Sequence, residues 1–165
     1  MKCFLKMLTT AAAGWAAFNA AMFLTFRLIG FGVNGHGVLL NPEIQSAKLI
    51  AVWTKLEPLP LVVAKPHVII AGLFVFAFMQ AVTYRLLSPA WPVGICPRAL
   101  RLAGLRFALT FLFWEFFTPF NQLGEPLPLI AVELSFWAVV ALAESFAIAA
   151  TAETLWKTAA SAKEA

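Results

Sequence analysis

Residues 127–151 read LPLIAVELSFWAVVALAESFAIAAT, an apolar stretch in which Glu133 and Glu144 are the charged groups. A helix needs about 20 residues to cross about 30 Å of hydrocarbon, so this stretch is long enough to span a membrane. Upstream lie three further apolar runs, at 102–120, 61–87 and 8–31, separated by short segments rich in Pro, Gly and charge. None of the four alternates with period two, and each is about twice the length of a barrel strand. Hydrocarbon offers no partner to an open backbone N–H or C=O, so each run is expected to be a helix. The expected fold is all-α: a polytopic membrane protein with four transmembrane helices, forming a single domain over residues 1–165.

Composition supports this reading. Of the 165 residues, 62% are hydrophobic and 12% charged, with 16 Phe and 6 Trp; mean hydropathy is +0.86. A water-soluble chain of this size could not hide so much apolar side chain and still build a surface. Lys2 and Lys6 precede an apolar run, as in a signal peptide, but the run is too long and the small residues Ala11, Ala12 and Ala13 come before most of it. The first run is therefore expected to stay as a crossing.

Lys and Arg set the orientation. Lys2, Lys6, Arg85, Arg98, Arg101, Arg106, Lys157 and Lys163 fall on one side, while Lys48 and Lys55 fall on the other, with Lys65 near the boundary. The positive-inside bias puts both termini in the cytoplasm of a cell-membrane protein. The net charge of +4 is thus a topology signal. No compact basic patch with a binding motif exists, so no nucleic-acid partner is expected. The expected partners are membrane lipid and either a homo-oligomer or a larger membrane complex. Ala13, Gly14, Ala17, Ala20 and Ala21 offer a close-packing surface for such association or for packing within the chain. Cys3 and Cys96 have neither a CxxC nor a metal-ligand spacing and make no framework.

The connections are distinct in chemistry. Residues 41–58, NPEIQSAKLIAVWTKLEP, suit a short interfacial helix capped by Asn41, with Leu49, Val52, Trp53 and Leu56 on one side. Residues 88–101 hold three prolines and a glycine and predict an irregular turn whose Arg98, Arg101 and nearby Arg106 meet anionic headgroups. The aromatics at 74–78 and 111–120 read as lipid-facing. Pro119 and Gly124 mark a turn. The tail is expected to fray beyond Trp156 and Lys157. EPLPLVVAKPH at 57–67 resembles EPLPLIAVELS at 125–135, which suggests two repeated helical hairpins related by an axis along the membrane normal.

Activity is expected to come from the membrane bundle or from partners, and within the bundle from the polar residues inside the runs. By depth, Arg27, His67 and Glu133 lie about 10 Å from the centre toward the outer side, at 1.5 Å per residue, with Glu115 slightly deeper. This layer is expected to close as one network in which Arg27 pairs with Glu115 or Glu133. Gln80 and Glu144 form a deeper layer, and Asn19 can join either.

Three accounts follow. In the first, the polar network fixes helix packing in a non-enzymatic accessory or assembly subunit. In the second, Glu133 and Glu144 are stations in a small oligomeric proton- or ion-coupled transporter. In the third, the chain holds a quinone, haem or metal, with His67, Glu115 and Glu133 as metal donors. The sequence names no cofactor and carries no recognisable catalytic set. The first account uses the polar inventory most fully.

Overall fold

A computed structural model describes the backbone of residues 2–164 and the side chains of residues 3–156. The expectations placed on the side chains of Lys2, Lys157 and Lys163 lie outside the described residues. The regular elements are all helical, with no strand among the described residues. Helix α1 runs Lys2–Met22 and continues in wider π-wound turns over Phe23–Gly30. A long connection carries α2, Ala47–Thr54, and a short turn Leu61–Ala64. Helix α3 covers Pro66–Leu87, with proline in its first turn, where its missing N–H costs nothing. Helix α4 starts at Ile95–Arg106, and α5 covers Leu127–Glu164.

Three helical segments are long and apolar enough to cross a membrane: Cys3–Gly30, Pro66–Ala90 and Leu127–Trp156. The fourth expected crossing is built differently. From Arg106 onward α4 changes winding repeatedly, through Phe107–Leu112 (π), Phe113–Glu115 (α), Phe116–Phe120 (π) and Asn121–Leu123 (α). Pro119 sits inside the second π piece, where it removes an N–H from the ladder and favours a local change of pitch. Gly124 then ends the rod at φ +66°, a conformation that suits glycine.

Helix α1 lies between α3 and α5, and α4 packs along α5. The core joins Phe18 and Ala21 of α1, Ala103 and Phe111 of α4, and Val140 and Ala141 of α5. Helix α1 comes close to α5 at Gly14, where an added Cβ would lie 2.7 Å from Ile148. Glycine is therefore what lets these two backbones meet. Both chain ends lie at one end of the bundle, where Lys6 Nζ donates to the Leu155 carbonyl at 2.6 Å. Helix α5 is continuous to Glu164, and the expectation of fraying beyond Trp156 falls on residues whose side chains lie outside the described ones.

At the opposite end, the 31–60 connection folds over the turn between α4 and α5. Ser46 Oγ donates to the Leu123 carbonyl at 2.8 Å and Lys48 Nζ to that of Gln122 at 2.5 Å. The short helix expected here is present, but its cap is Ser46, whose Oγ accepts from the Leu49 N–H. Asn41 instead accepts from the N–H of Glu43, closing a local turn. Trp53 packs on Phe31, ring centres 5.1 Å apart.

The two EPLPL copies are not equivalent. Glu57 is exposed and accepts from the nearby Leu59 N–H, and its copy leads through a short helical turn before α3 begins. Glu125 is buried, and its copy opens directly into α5.

Replacing Gly14 with Leu is expected to lower stability by about 1–3 kcal/mol, the usual cost of overpacking. Reversible unfolding in mixed micelles measures it; an unchanged midpoint would refute the close α1–α5 contact.

Candidate functional site

Helices α4 and α5 run antiparallel, and their ionisable residues meet in three rungs. Arg98 pairs with Glu153 and Arg106 with Glu144, while Glu115 and Glu133 bring two carboxyls together. The rungs climb one helix while descending the other. Each step of eight to eleven residues is about 12–16 Å of rise.

The rung nearest the chain ends is capped by Tyr84 of α3, whose hydroxyl donates to Glu153 at 2.9 Å. The middle rung is the most enclosed. Arg106 and Glu144 are 3% and 0% exposed, and the guanidinium carbon lies 4.8–4.9 Å from the ring centres of Phe18, Phe76 and Phe111. Nε and Nη2 of Arg106 have no hydrogen-bond partner. The electron-rich ring faces take their place, an arrangement that gains strength away from water.

This rung corrects three expectations. Arg106 points into the bundle and not toward headgroups. Phe76 belongs to its cage and not to the lipid face. Glu144 is paired with Arg106, and Gln80 on α3 is half-buried. The other aromatics at 111–120 behave as expected: Phe113, Trp114, Phe116, Phe117 and Phe120 are exposed.

The rung at the loop end has no cation of its own. One oxygen from each of Glu115, Glu125 and Glu133 lies within 4.8 Å of the others. All three side chains are buried. Glu115 accepts from the Trp137 indole N–H at 2.5 Å, and Glu125 accepts from Gln45 Nε2 at 2.6 Å. Gln45 also donates to the Leu39 carbonyl at 3.1 Å, which ties the connection to the turn. The second oxygens of Glu115 and Glu125 are buried without a hydrogen-bond donor. Two full negative charges at such a separation repel by about 3–4 kcal/mol at an effective dielectric of 20, so the cluster needs protons or a cation.

Trp137 joins the two layers. Its ring stacks on Phe111 at 4.3 Å and 11°. Phe111 faces Arg106 on its other contact, so carboxyl cluster, indole, phenyl ring, guanidinium and Glu144 form one continuous chain of contacts.

The remaining sequence-predicted residues lie elsewhere. Arg27 does not pair with Glu115 or Glu133; it is exposed and donates at 3.4 Å to the carbonyls of Gly32 and Val33. The chain after the π-wound end of α1 folds back and supplies these acceptors. His67 is exposed at the start of α3, apart from the carboxyl cluster. Asn19 donates to Trp15 one turn back. Glu125 and Gln45 were missed, because both belong to connections whose burial depends on the 41–49 segment closing over the turn. No protein-family model, curated protein or solved structure matches this chain.

Two outcomes are expected. Arg106→Met or Glu144→Met alone should cost about 3–5 kcal/mol by stranding a buried charge, and the double variant should recover most of the loss. Unfolding in mixed micelles measures the cycle, and additive losses would refute the pair. Glu125, at the turn, is pushed above the ordinary carboxylate range, chiefly by burial and further by Glu115, with the Gln45 hydrogen bond opposing. Its folded form holds the proton more tightly than its unfolded form, so its contribution is full at low pH and falls as pH rises through the ordinary carboxylate range toward the folded value. Glu125→Gln should flatten that fall in chelator-treated protein; an unchanged pH profile of stability would refute the assignment.

Proposed function

We propose that this chain is a non-enzymatic integral membrane subunit, with accessory or assembly function, whose interior polar ladder fixes the neighbours and register of four crossings. The 95–123 rod is the fourth crossing in this reading. Its support is the Arg106–Glu144 pair, enclosed by Phe18, Phe76 and Phe111 from three helices. A buried pair of this kind contributes more to the uniqueness of packing than to net stability. It also closes the middle of the bundle with apolar rings. That arrangement disfavours a continuous path through Glu133 and Glu144, because Glu144 already has its counter-charge.

The broad exposed apolar surface, from Leu109 through Phe120 and along α3, suits lipid and the face of a larger membrane complex equally in its chemistry. Both termini in the cytoplasm of a cell membrane follow from the Lys and Arg distribution. The transport alternative keeps one favourable observation: Glu133 sits in a carboxyl cluster able to take up protons or cations.

Purification in a mild detergent tests the role. The expected result is recovery with a stoichiometric membrane partner and no proton flux from the chain alone in liposomes. Flux from the isolated chain that Glu133→Gln abolishes would replace this reading with transport. Topology has its own test. Two single-cysteine proteins are compared, one with Cys96 alone (Cys3→Ser) and one with Gln122→Cys alone (Cys3→Ser, Cys96→Ser); an impermeant maleimide should reach them from opposite faces. Labelling of both from one face would remove the fourth crossing.

A further inference from the structure

We infer that Glu115, Glu125 and Glu133 form a binding site for a hard divalent cation of calcium size, held beneath the 41–49 segment at the loop end of the bundle. This goes beyond the scaffolding proposal and does not depend on it. The ladder supplies the first reason. Its other two rungs each pair a carboxylate with an arginine, whereas here the α4 position opposite Glu133 is itself Glu115. Neither ion pair among the described residues reaches this rung, and Arg27 is turned toward backbone carbonyls.

The second reason is independent of the acidic count. Glu115 and Glu125 are 0% and 1% exposed, yet each keeps one buried oxygen with no donor. Such orphaned acceptors are costly unless something positive reaches them. The other oxygens of these two residues are fixed by Trp137 and Gln45, so the carboxyls are held in place from outside the cluster. Preset outer partners of this type orient ligands around a metal.

Size and hardness choose the ion. Oxygen donors favour hard cations. Calcium takes oxygen ligands at about 2.3–2.6 Å, which lets donors on opposite sides stand about 4.6–5.2 Å apart, while magnesium at about 2.0–2.1 Å demands a tighter set. Donor atoms within 4.8 Å of one another leave room for the larger ion. Glu115 also occupies the short α-helical piece between two π-wound segments, an irregularity that often accompanies function.

Terbium luminescence tests the site on the full chain in detergent after chelator treatment. Tb3+ is a hard-oxygen probe of calcium-like size, and Trp137 is the adjacent sensitiser. The expected result is tryptophan-excited emission that Ca2+ displaces and K+ does not. Trp137→Phe removes both the sensitiser and the donor to Glu115, so it should remove the emission and weaken the Ca2+-dependent rise in melting temperature. Gln45→Ala should weaken Ca2+ by about 10–100-fold, the usual effect of losing an outer partner, and Glu125→Gln should abolish the Ca2+-dependent rise. Circular dichroism checks that each variant is folded. Absence of emission from folded wild-type protein, emission that Ca2+ does not displace, or a melting response unchanged in folded Glu125→Gln would overturn the inference and leave shared protons as the occupant. Should Glu125→Gln fail to fold, the wild-type competition and the Gln45→Ala response decide.

Discussion

A charge surrounded by apolar side chains must find its counter-charge within the protein, and here that constraint ties α4 to α5. Arg106 meets Glu144 in the most enclosed part of the bundle, with rings from α1, α3 and α4 over the guanidinium. Sliding either helix by one turn would separate the charges by about 5 Å and strand both. The register of the hairpin, the position of Trp137 and the meeting of Glu115 with Glu133 all follow from that one contact. Helix α1 completes the packing because Gly14 allows a close approach to Ile148.

The two ends of the bundle solve the same electrostatic problem differently. Toward the chain ends, arginines from α4 answer carboxylates from α5, and Tyr84 adds a third helix to the outermost rung. Toward the loops, three carboxyls gather without an arginine, under a connection pinned through Gln45, Ser46 and Lys48. Between them stand Phe111 and Trp137, which separate the layers by apolar surface while touching both. This asymmetry pairs charges at one end and gathers like groups at the other.

Much of the architecture was legible in the chain. Long apolar runs announce helices able to cross a membrane because length and hydropathy are local properties. The π winding of α4 was not legible, since its cause lies partly in Pro119 and partly in packing that no single window reports. Arg27 misled for a related reason: depth along a helix predicts level, whereas partner choice depends on rotation and on where the next loop turns. Phe76 looked like lipid-facing surface because it sits among other aromatics, yet its ring faces Arg106 from across the bundle. Glu125 and Gln45 lie 80 residues apart and meet only when the outer connection closes. EPLPL at 57–61 and 125–129 shows how similar sequence can adopt different burial when tertiary neighbours differ.

The central claim is that Arg106 and Glu144 form a charged pair inside the lipid-embedded bundle. Solid-state NMR of the full chain in bilayers, with 15N-labelled arginine and 13C-labelled glutamate, measures it directly through the dipolar coupling between the guanidinium and carboxylate groups. The account predicts a short-range correlation between Arg106 and Glu144, with the Glu144 carbon at an ionised chemical shift. A protonated Glu144 with no coupling to Arg106 would contradict it.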